Sequence, residues 1–461
     1  MSVKQTPPIV LINIVGLTRA LLGEHTPHLN RLFNTPSAKP LQGVFPAVTT
    51  TAQTTMLTGE LPEAHGIVSN GWYWRDQAEV KFWQQSNHLV TAPRLWHRVR
   101  EQRPDFVLSN MFWWYNMYSD ADHSVTPRPH YPADGRKIVG LYSNPPDLHA
   151  RLEQALGPFP FFNFWGPTAD IRSSRWIARA AALEFEWHRP DLQLVYLPHL
   201  DYNLQRLGPE DPAIAQDLRD IDTVAGELID RVIELGANVM VVSEYGIYPV
   251  DQDVALNRIL RQQGYVAVRE SLGTELLDPG ASSAFAVADH QVAHIYVKQP
   301  SDCGAVKELI ESTPGVERVL DREDMRVQGL AHPRSGDLIA VAEPRRWFSY
   351  YYWLDDRKAP DFAPTVDIHR KPGYDPAELF IDPALRWPKL RVLRRLAQKK
   401  LGLRMLMDVI PIHASQVKGS HGRLSADDDE KPVLLSTLAE ASRDIDGLAD
   451  VHDFLLRYFT D

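Results

Sequence analysis

The sequence predicts an α/β protein in which a doubly wound, mostly parallel sheet carries a smaller α+β cap. Three observations lead there. Apolar, β-branched runs at 9–15, 40–45, 106–109, 192–197 and 239–243 each enter a turn and then a segment of helical periodicity, the pattern of a parallel sheet covered on both faces. From about residue 265 strands follow one another without long helices. The 461 residues, 44% of them hydrophobic, suffice for a large core in one elaborated domain or two, which excludes a disordered chain.

In chain order, residues 1–264 are expected to form the main α/β core, 265–405 the cap with a basic helix, and 406–461 a return to the core. The apolar run Pro8-Ile9-Val10-Leu11-Ile12 lacks a basic leader and a small-residue cleavage site, so it is read as the first strand of a cytoplasmic protein. Thr26-Pro27 places a capping residue before a proline at the first helical position. Trp176, Ile177, Ala180 and Leu183 mark a helix over 173–186, whereas the Pro-rich stretch 126–132 reads as an ordered excursion. In the cap, strands are expected at 284–297, 316–320 and 338–342, with a helix near 305–311. No run of about 18 apolar residues occurs, so no membrane-spanning helix is expected.

Charge and cysteine content narrow the chemistry. A net charge of −10 spread along the chain argues against nucleic acid as a general partner, since phosphate backbones are held by clustered Lys and Arg. A small molecule is the expected partner. The single cysteine, Cys303, allows no intrachain disulfide and no Cys-rich zinc site, so a metal would need O and N ligands.

Polar residues recur where the predicted strands end. Phe45-Pro46-Ala47-Val48-Thr49 runs from a strand end to the mouth of a helix that stops at Leu57-Thr58-Gly59, and His65-Gly66-Ile67-Val68-Ser69-Asn70 turns back toward it. A Thr at a helix N-terminus sits where free N–H groups and the dipole favour an anion, although an N-cap is the plainer reading of Thr49-Thr50-Thr51. Asn13 with Val15, Asp201, Glu244-Tyr245-Gly246 and Gly419-Ser420-His421-Gly422 complete the set, and ligands of such sheets bind beyond the carboxyl ends of the strands.

In the order of these motifs, from the first strand to His421, the chain resembles the type I phosphodiesterase and nucleotide pyrophosphatase branch of the alkaline phosphatase superfamily. The resemblance implies a Thr nucleophile at Thr49 and a phosphate-oxygen donor at Asn70. It implies metal ligands at Asp201 and His421, with Gly208-Pro209 matching the turn after the family's Asp-x-x-x-His. Three positions depart from the pattern: Val15-Gly16 replaces an Asp-Gly, Gln205 replaces a His, and Glu244-Tyr245-Gly246 replaces Asp-His-Gly. What remains is Asp201, Glu244 and His421 around one divalent ion, Zn or Mn with Mg as a further candidate, leaving positions open for Thr49 and substrate. Asn13, Gln205 and Tyr245 are assigned to completing that sphere or to the phosphate. The implied activity is metal-assisted hydrolysis of a phosphodiester, nucleotide pyrophosphate or related ester. The alternatives are a binding protein for a phosphorylated metabolite and a phosphonate or sulfate ester hydrolase of the same superfamily.

Other residues carry less. His290 and His294 share one side of the expected strand 284–297, with Asp289 opposite; a core or surface role competes with one at the cleft. His369 and Arg370, followed by Lys371 and a Gly-containing turn, suit a bound anion. His65 is read as fixing the turn to Asn70. The aromatic clusters around Trp72, Trp113 and Trp347 are read as packing, with a few rings available to stack on a leaving group. Eight Lys or Arg residues within 386–404, among Leu390, Leu393, Ala397 and Leu401, define a basic amphipathic helix. Its default role is a solvated face packed on its own domain, and its second reading is weak contact with an anionic membrane. Oligomeric state is not encoded in any pattern seen here.

Overall fold

The computed structural model describes residues 6–33, 38–133 and 137–461. Its centre is an eight-stranded sheet in the order Lys39–Pro40, Val433–Ser436, Asn238–Val242, Ile9–Ile14, Leu192–Leu197, Leu108–Met111, His123–Pro127, Leu141–Asn144. Strands Asn238–Val242 through His123–Pro127 in that order run parallel, and Leu141–Asn144 and Val433–Ser436 pair antiparallel at the two sides. Every residue of Ile9–Ile14 and Leu192–Leu197 is buried, as a strand covered on both faces must be. The helices Ile171–His188 and Ile214–Glu234 lie against each other over the sheet, the first started by Asp170, whose carboxylate accepts the Arg172 N–H.

The edges differ from the sequence expectation. Of the run 40–45 only Pro40 lies in a paired strand, Lys39–Pro40, which is the edge of the sheet, where a residue without an N–H is tolerated. Residues 126–127, expected as part of an excursion, close the strand His123–Pro127.

The second sheet is antiparallel, ordered Ala284–Asp289, Val292–Val297, Leu338–Ala342, Val316–Leu320. The single strand expected over 284–297 is instead a hairpin that turns at His290-Gln291, with His290 at φ 59°. The turn directs His290 and His294 to different surroundings. This sheet reaches the main one where Phe45 packs with Val292, Leu320, Ile339 and Val341. Gln291 N–H also bonds His421 O at 2.8 Å, so the hairpin tip sits at the ends of the parallel strands.

Two buried imidazoles brace that junction. His65 Nδ1 accepts the Ile67 N–H at 3.0 Å and its Nε2 meets Thr55 Oγ1 at 3.1 Å. His294 Nδ1 accepts the Gly336 N–H at 3.0 Å while Nε2 faces Val68 O at 3.2 Å. Each Nδ1 is thus an acceptor, and protonating it would break a bond and bury a charge. Burial, first of all, holds His65 down to about 3 and His294 to about 4. Because the folded values lie below the unfolded one, the unfolded chain binds more protons in acid, and stability is lost as pH falls from about 6.5 toward 4. His294 alone is expected to cost on the order of 3 kcal/mol by pH 4. Urea melts between pH 7 and 4 should show this slope, and His294→Gln should flatten it.

Candidate active site

The helix Thr49–Thr58 is buried along its whole length, which is unusual for so many hydroxyls and is made tolerable by their partners. Thr50 Oγ1 donates to Ser69 O at 2.9 Å and Thr51 Oγ1 to Ile67 O at 3.1 Å, while Thr54 and Thr58 donate to carbonyls one turn back. Val48, not a threonine, is the N-cap residue, and Gly59 at φ 69° ends the helix. The Thr50 N–H is capped from afar by Asn70 Oδ1 at 3.0 Å. Thr49 is thereby left facing the strand ends, with its hydroxyl 2.9 Å from the Tyr245 hydroxyl.

Behind Thr49 lies Glu244, fully buried. Its Oε1 accepts from Asn13 Nδ2 and from Gln53 Nε2, the latter at 2.6 Å. Gln53 in turn accepts the Trp114 N–H at 2.7 Å. On the other side of Tyr245, Asp201 Oδ2 accepts from Gln205 Nε2 at 2.9 Å, and Gln205 Oε1 accepts from the Tyr374 hydroxyl at 2.8 Å. Asp201 Oδ1 and Glu244 Oε2 are buried without a hydrogen-bond partner. Burial pushes the Asp201 carboxyl up to about 7; burial, with the Asp201 charge adding to it, takes Glu244 to about 8.

Four rings form a column through the site. Tyr245 stacks on His421 with centroids 3.6 Å apart, His421 on His290 at 3.6 Å, and His290 on Tyr374 at 3.7 Å. His421 Nδ1 lies 2.7 Å from Ala47 O. Burial holds its pKa down to about 3, so the neutral ring donates through Nδ1 and presents the Nε2 lone pair.

The column, Thr49 and Asp201 border a cavity of about 1040 Å³ including its open mouth. Its wall is largely aromatic, with Trp83, Trp114, Phe112, Phe164, Trp165 and Tyr202 prominent. Lys137 and His369 also line it.

The structure therefore gathers Thr49, Asp201, Tyr245, His421, His290 and His369 around one cavity and places Glu244, Asn13 and Gln205 in the layer that holds them. The donor atoms of Asp201, Glu244 and His421 do not all fall within 4.8 Å of one another. Among the described residues the group that does is His123, Glu184 and His188, near the opposite ends of the strands. There the two imidazoles stack at 3.8 Å and 20°, and an ion between them would lie off both ring planes, so the group reads as a buried carboxylate flanked by two rings. Asn70 has its carbonyl on Thr50 and an amide hydrogen on Asp289 at 3.2 Å, which makes it the clamp of the Thr49 turn. Arg370 is outside the cavity, 66% exposed beside Asp367. Lys371 is not available to an anion either, since it is buried between Asp375 and Glu378. Sequence reasoning missed Gln53 and Tyr374.

The sequence profile of the type I phosphodiesterase / nucleotide pyrophosphatase family matches residues 9–375. An uncharacterised pyrophosphatase/phosphodiesterase of Schizosaccharomyces pombe is 26% identical over 217 residues, 45% of this chain and 38% of that protein, so well under half of that relative's length is spanned. Among solved structures, an inactive variant of the murine ectonucleotide pyrophosphatase / phosphodiesterase 5 in complex with AMP matches with TM-score 0.57 at 14% identity, over 98% of this chain and 95% of that one. Phosphonoacetate hydrolase from Sinorhizobium meliloti 1021, in complex with phosphonoacetate, matches with TM-score 0.62 at 14% identity, over 98% and 96%. At such identities the structural likeness speaks for the fold, which is of the alkaline phosphatase type.

Proposed function

This chain belongs to the type I phosphodiesterase / nucleotide pyrophosphatase family, and we propose that it hydrolyses a phosphodiester, a nucleotide pyrophosphate or a related phosphate ester through Thr49. The observation that supports this most directly is the Thr49 hydroxyl, unattached to any carbonyl of its helix, set against Tyr245 and opening on a cavity edged by Asp201 and His421. In this reading Thr49 Oγ attacks phosphorus, the bond to the leaving alcohol or phosphate breaks, and water then cleaves the phosphothreonine. The hydroxyl proton leaves through Tyr245, 2.9 Å away, and ends on the leaving oxygen or in solvent.

The charge balance of the site favours a cation. Two buried carboxyls with an unpartnered oxygen each lack a counter-charge and are raised by burial for that reason, and Lys137 is the one Lys or Arg among the described residues of the cavity wall. Asp201, Glu244 and the Nε2 of His421 have the donor chemistry to hold one divalent ion, Zn, Mn or Mg. When bound, such an ion would stabilise the Thr49 alkoxide and neutralise charge on phosphorus. Val15, Gln205 and Tyr245 leave no second complete set. Protein stripped with chelator is expected to lose at least about 100-fold of its turnover and to regain it with one of these ions. Metal content near one ion per chain would accompany recovery.

The aromatic wall also bears on the substrate. An ester carrying an apolar or aromatic group is expected to outcompete one with a small polar alcohol, which a panel of aryl, alkyl and glyceryl phosphodiesters would show in kcat/KM. The closed Thr49–Tyr245 contact favours one other reading, a receptor that holds a phosphorylated metabolite without cleaving it. Tight binding in excess chelator with no product formed would support that reading instead. A phosphonate or sulfate ester remains a substrate alternative within the same chemistry, and the panel separates it.

A further inference from the structure

The helix Pro388–Lys400 buries none of its residues. Leu390, Leu393 and Leu401, at i, i+3 and i+11, are 62%, 63% and 76% exposed, and Trp387 at the helix entry is 66% exposed. A stripe of this kind on an isolated helix is ordinarily covered. Between 386 and 404 the chain has eight Lys or Arg and no Asp or Glu, within a protein of net charge −10. Arg391 and Arg395 turn to Asp408, but Lys389, Arg394, Lys399 and Lys400 form no ion pair among the described residues.

The helix is rooted beside the cavity. Asp382 N–H bonds Val409 O at 2.8 Å and Val409 N–H bonds Pro364 O at 3.0 Å, two residues before Val366, which lines the cavity wall.

We propose that the Pro388–Lys400 helix is an interfacial docking element that lays its leucine stripe and Trp387 into an anionic lipid surface. Leucines and a tryptophan flanked by Lys and Arg stems suit the boundary between acyl chains and headgroups, where the cations reach anionic phosphates while the apolar face leaves water. A second copy of the chain is the poorer occupant, because it would bring eight more cations against the first eight. An acidic protein groove would also satisfy the charges, and is the occupant left if anionic vesicles are not bound. The inference is independent of the hydrolase reading, since binding is scored without turnover.

The test is co-sedimentation of the full chain with vesicles of phosphatidylcholine alone and of phosphatidylcholine with phosphatidylglycerol. Binding is expected to the mixed vesicles only and to weaken as salt is raised. The double variant Leu390→Glu, Leu393→Glu should bind at least about tenfold more weakly and should hydrolyse a soluble aryl phosphodiester as the parent does. Protein that stays in the supernatant with anionic vesicles overturns the proposal, as does equal binding to both vesicle types or a double variant that binds like the parent. Self-association in sedimentation equilibrium that the double variant abolishes would assign the face to a second copy and likewise overturn it. If vesicles bind but no ester is cleaved, the hydrolase reading fails and the docking element stands.

Discussion

Thr49→Ala is expected to reduce turnover of an activated phosphodiester by about 10³-fold or more, with little change in melting temperature. The combination follows from how the hydroxyls of one helix are shared out. Thr50 and Thr51 tie the helix to the Ser69 and Ile67 carbonyls, so their loss would cost roughly 1 kcal/mol each through unpaired acceptors. Thr49 makes its contact with Tyr245 instead, and deletion of its hydroxyl leaves the backbone clamp through Asn70 intact. Thr49→Ser should therefore retain measurable activity. Tyr245→Phe, which removes a proton carrier and donor but not the nucleophile, should fall between the two, at about 10–100-fold. Steady-state rates for the four proteins, with thermal melts alongside, decide the matter. Parent-like rates in Thr49→Ala would exclude a covalent role for this residue.

The central strands were legible because burial on both faces writes itself into sequence as an uninterrupted apolar run, as in Ile9–Ile14 and Leu192–Leu197. Short strands near the sides of the sheet are not written that way. Val433–Ser436 has four residues and owes its place to pairing with Asn238–Val242, a partner nearly two hundred positions away. The hairpin at His290 was hidden for a related reason. A two-residue turn is normally announced by Asn or Gly, and here His290 takes the left-handed conformation and stacks between His421 and Tyr374. At the site, residues of distinctive chemistry could be found from motif order. Gln53 could not, since a glutamine in a helix is commonplace until Glu244 is folded against it. Lys371 was hidden as well: Asp375 and Glu378 stand four and seven residues on, but the segment at 371–375 is not helical, so no regular spacing announces the contact.

Lys371→Ala is expected to destabilise the protein by about 3–5 kcal/mol at neutral pH. The ammonium is 1% exposed and lies 2.7 Å from Asp375 and 2.8 Å from Glu378. Burial alone would lower its pKa, but the two carboxylates outweigh that and raise it. With a folded value above the unfolded one, the lysine's contribution is complete below about pH 10.5 and is lost only as pH climbs through the folded value. Its removal leaves the two acids buried without a counter-charge. Burial already raises Glu378 and Lys371 opposes that rise, so without the lysine Glu378 takes up a proton more readily, and the variant's deficit should be largest near pH 7 and shrink toward pH 5. Glu378 has further duties, accepting from Trp165 Nε1 at 2.6 Å and the Asp367 N–H at 2.9 Å, and these anchor the segment on which Tyr374 stands. Loosening it should also disturb the Tyr374–Gln205–Asp201 chain, so kcat is expected to fall along with stability. Lys371→Ala combined with Glu378→Gln, which removes a charge and keeps one of the two acceptor oxygens, should recover part of both. Urea melts of the single and double variants at pH 7 and pH 5 separate this account from simple loss of packing, because a packing defect would cost the same at either pH.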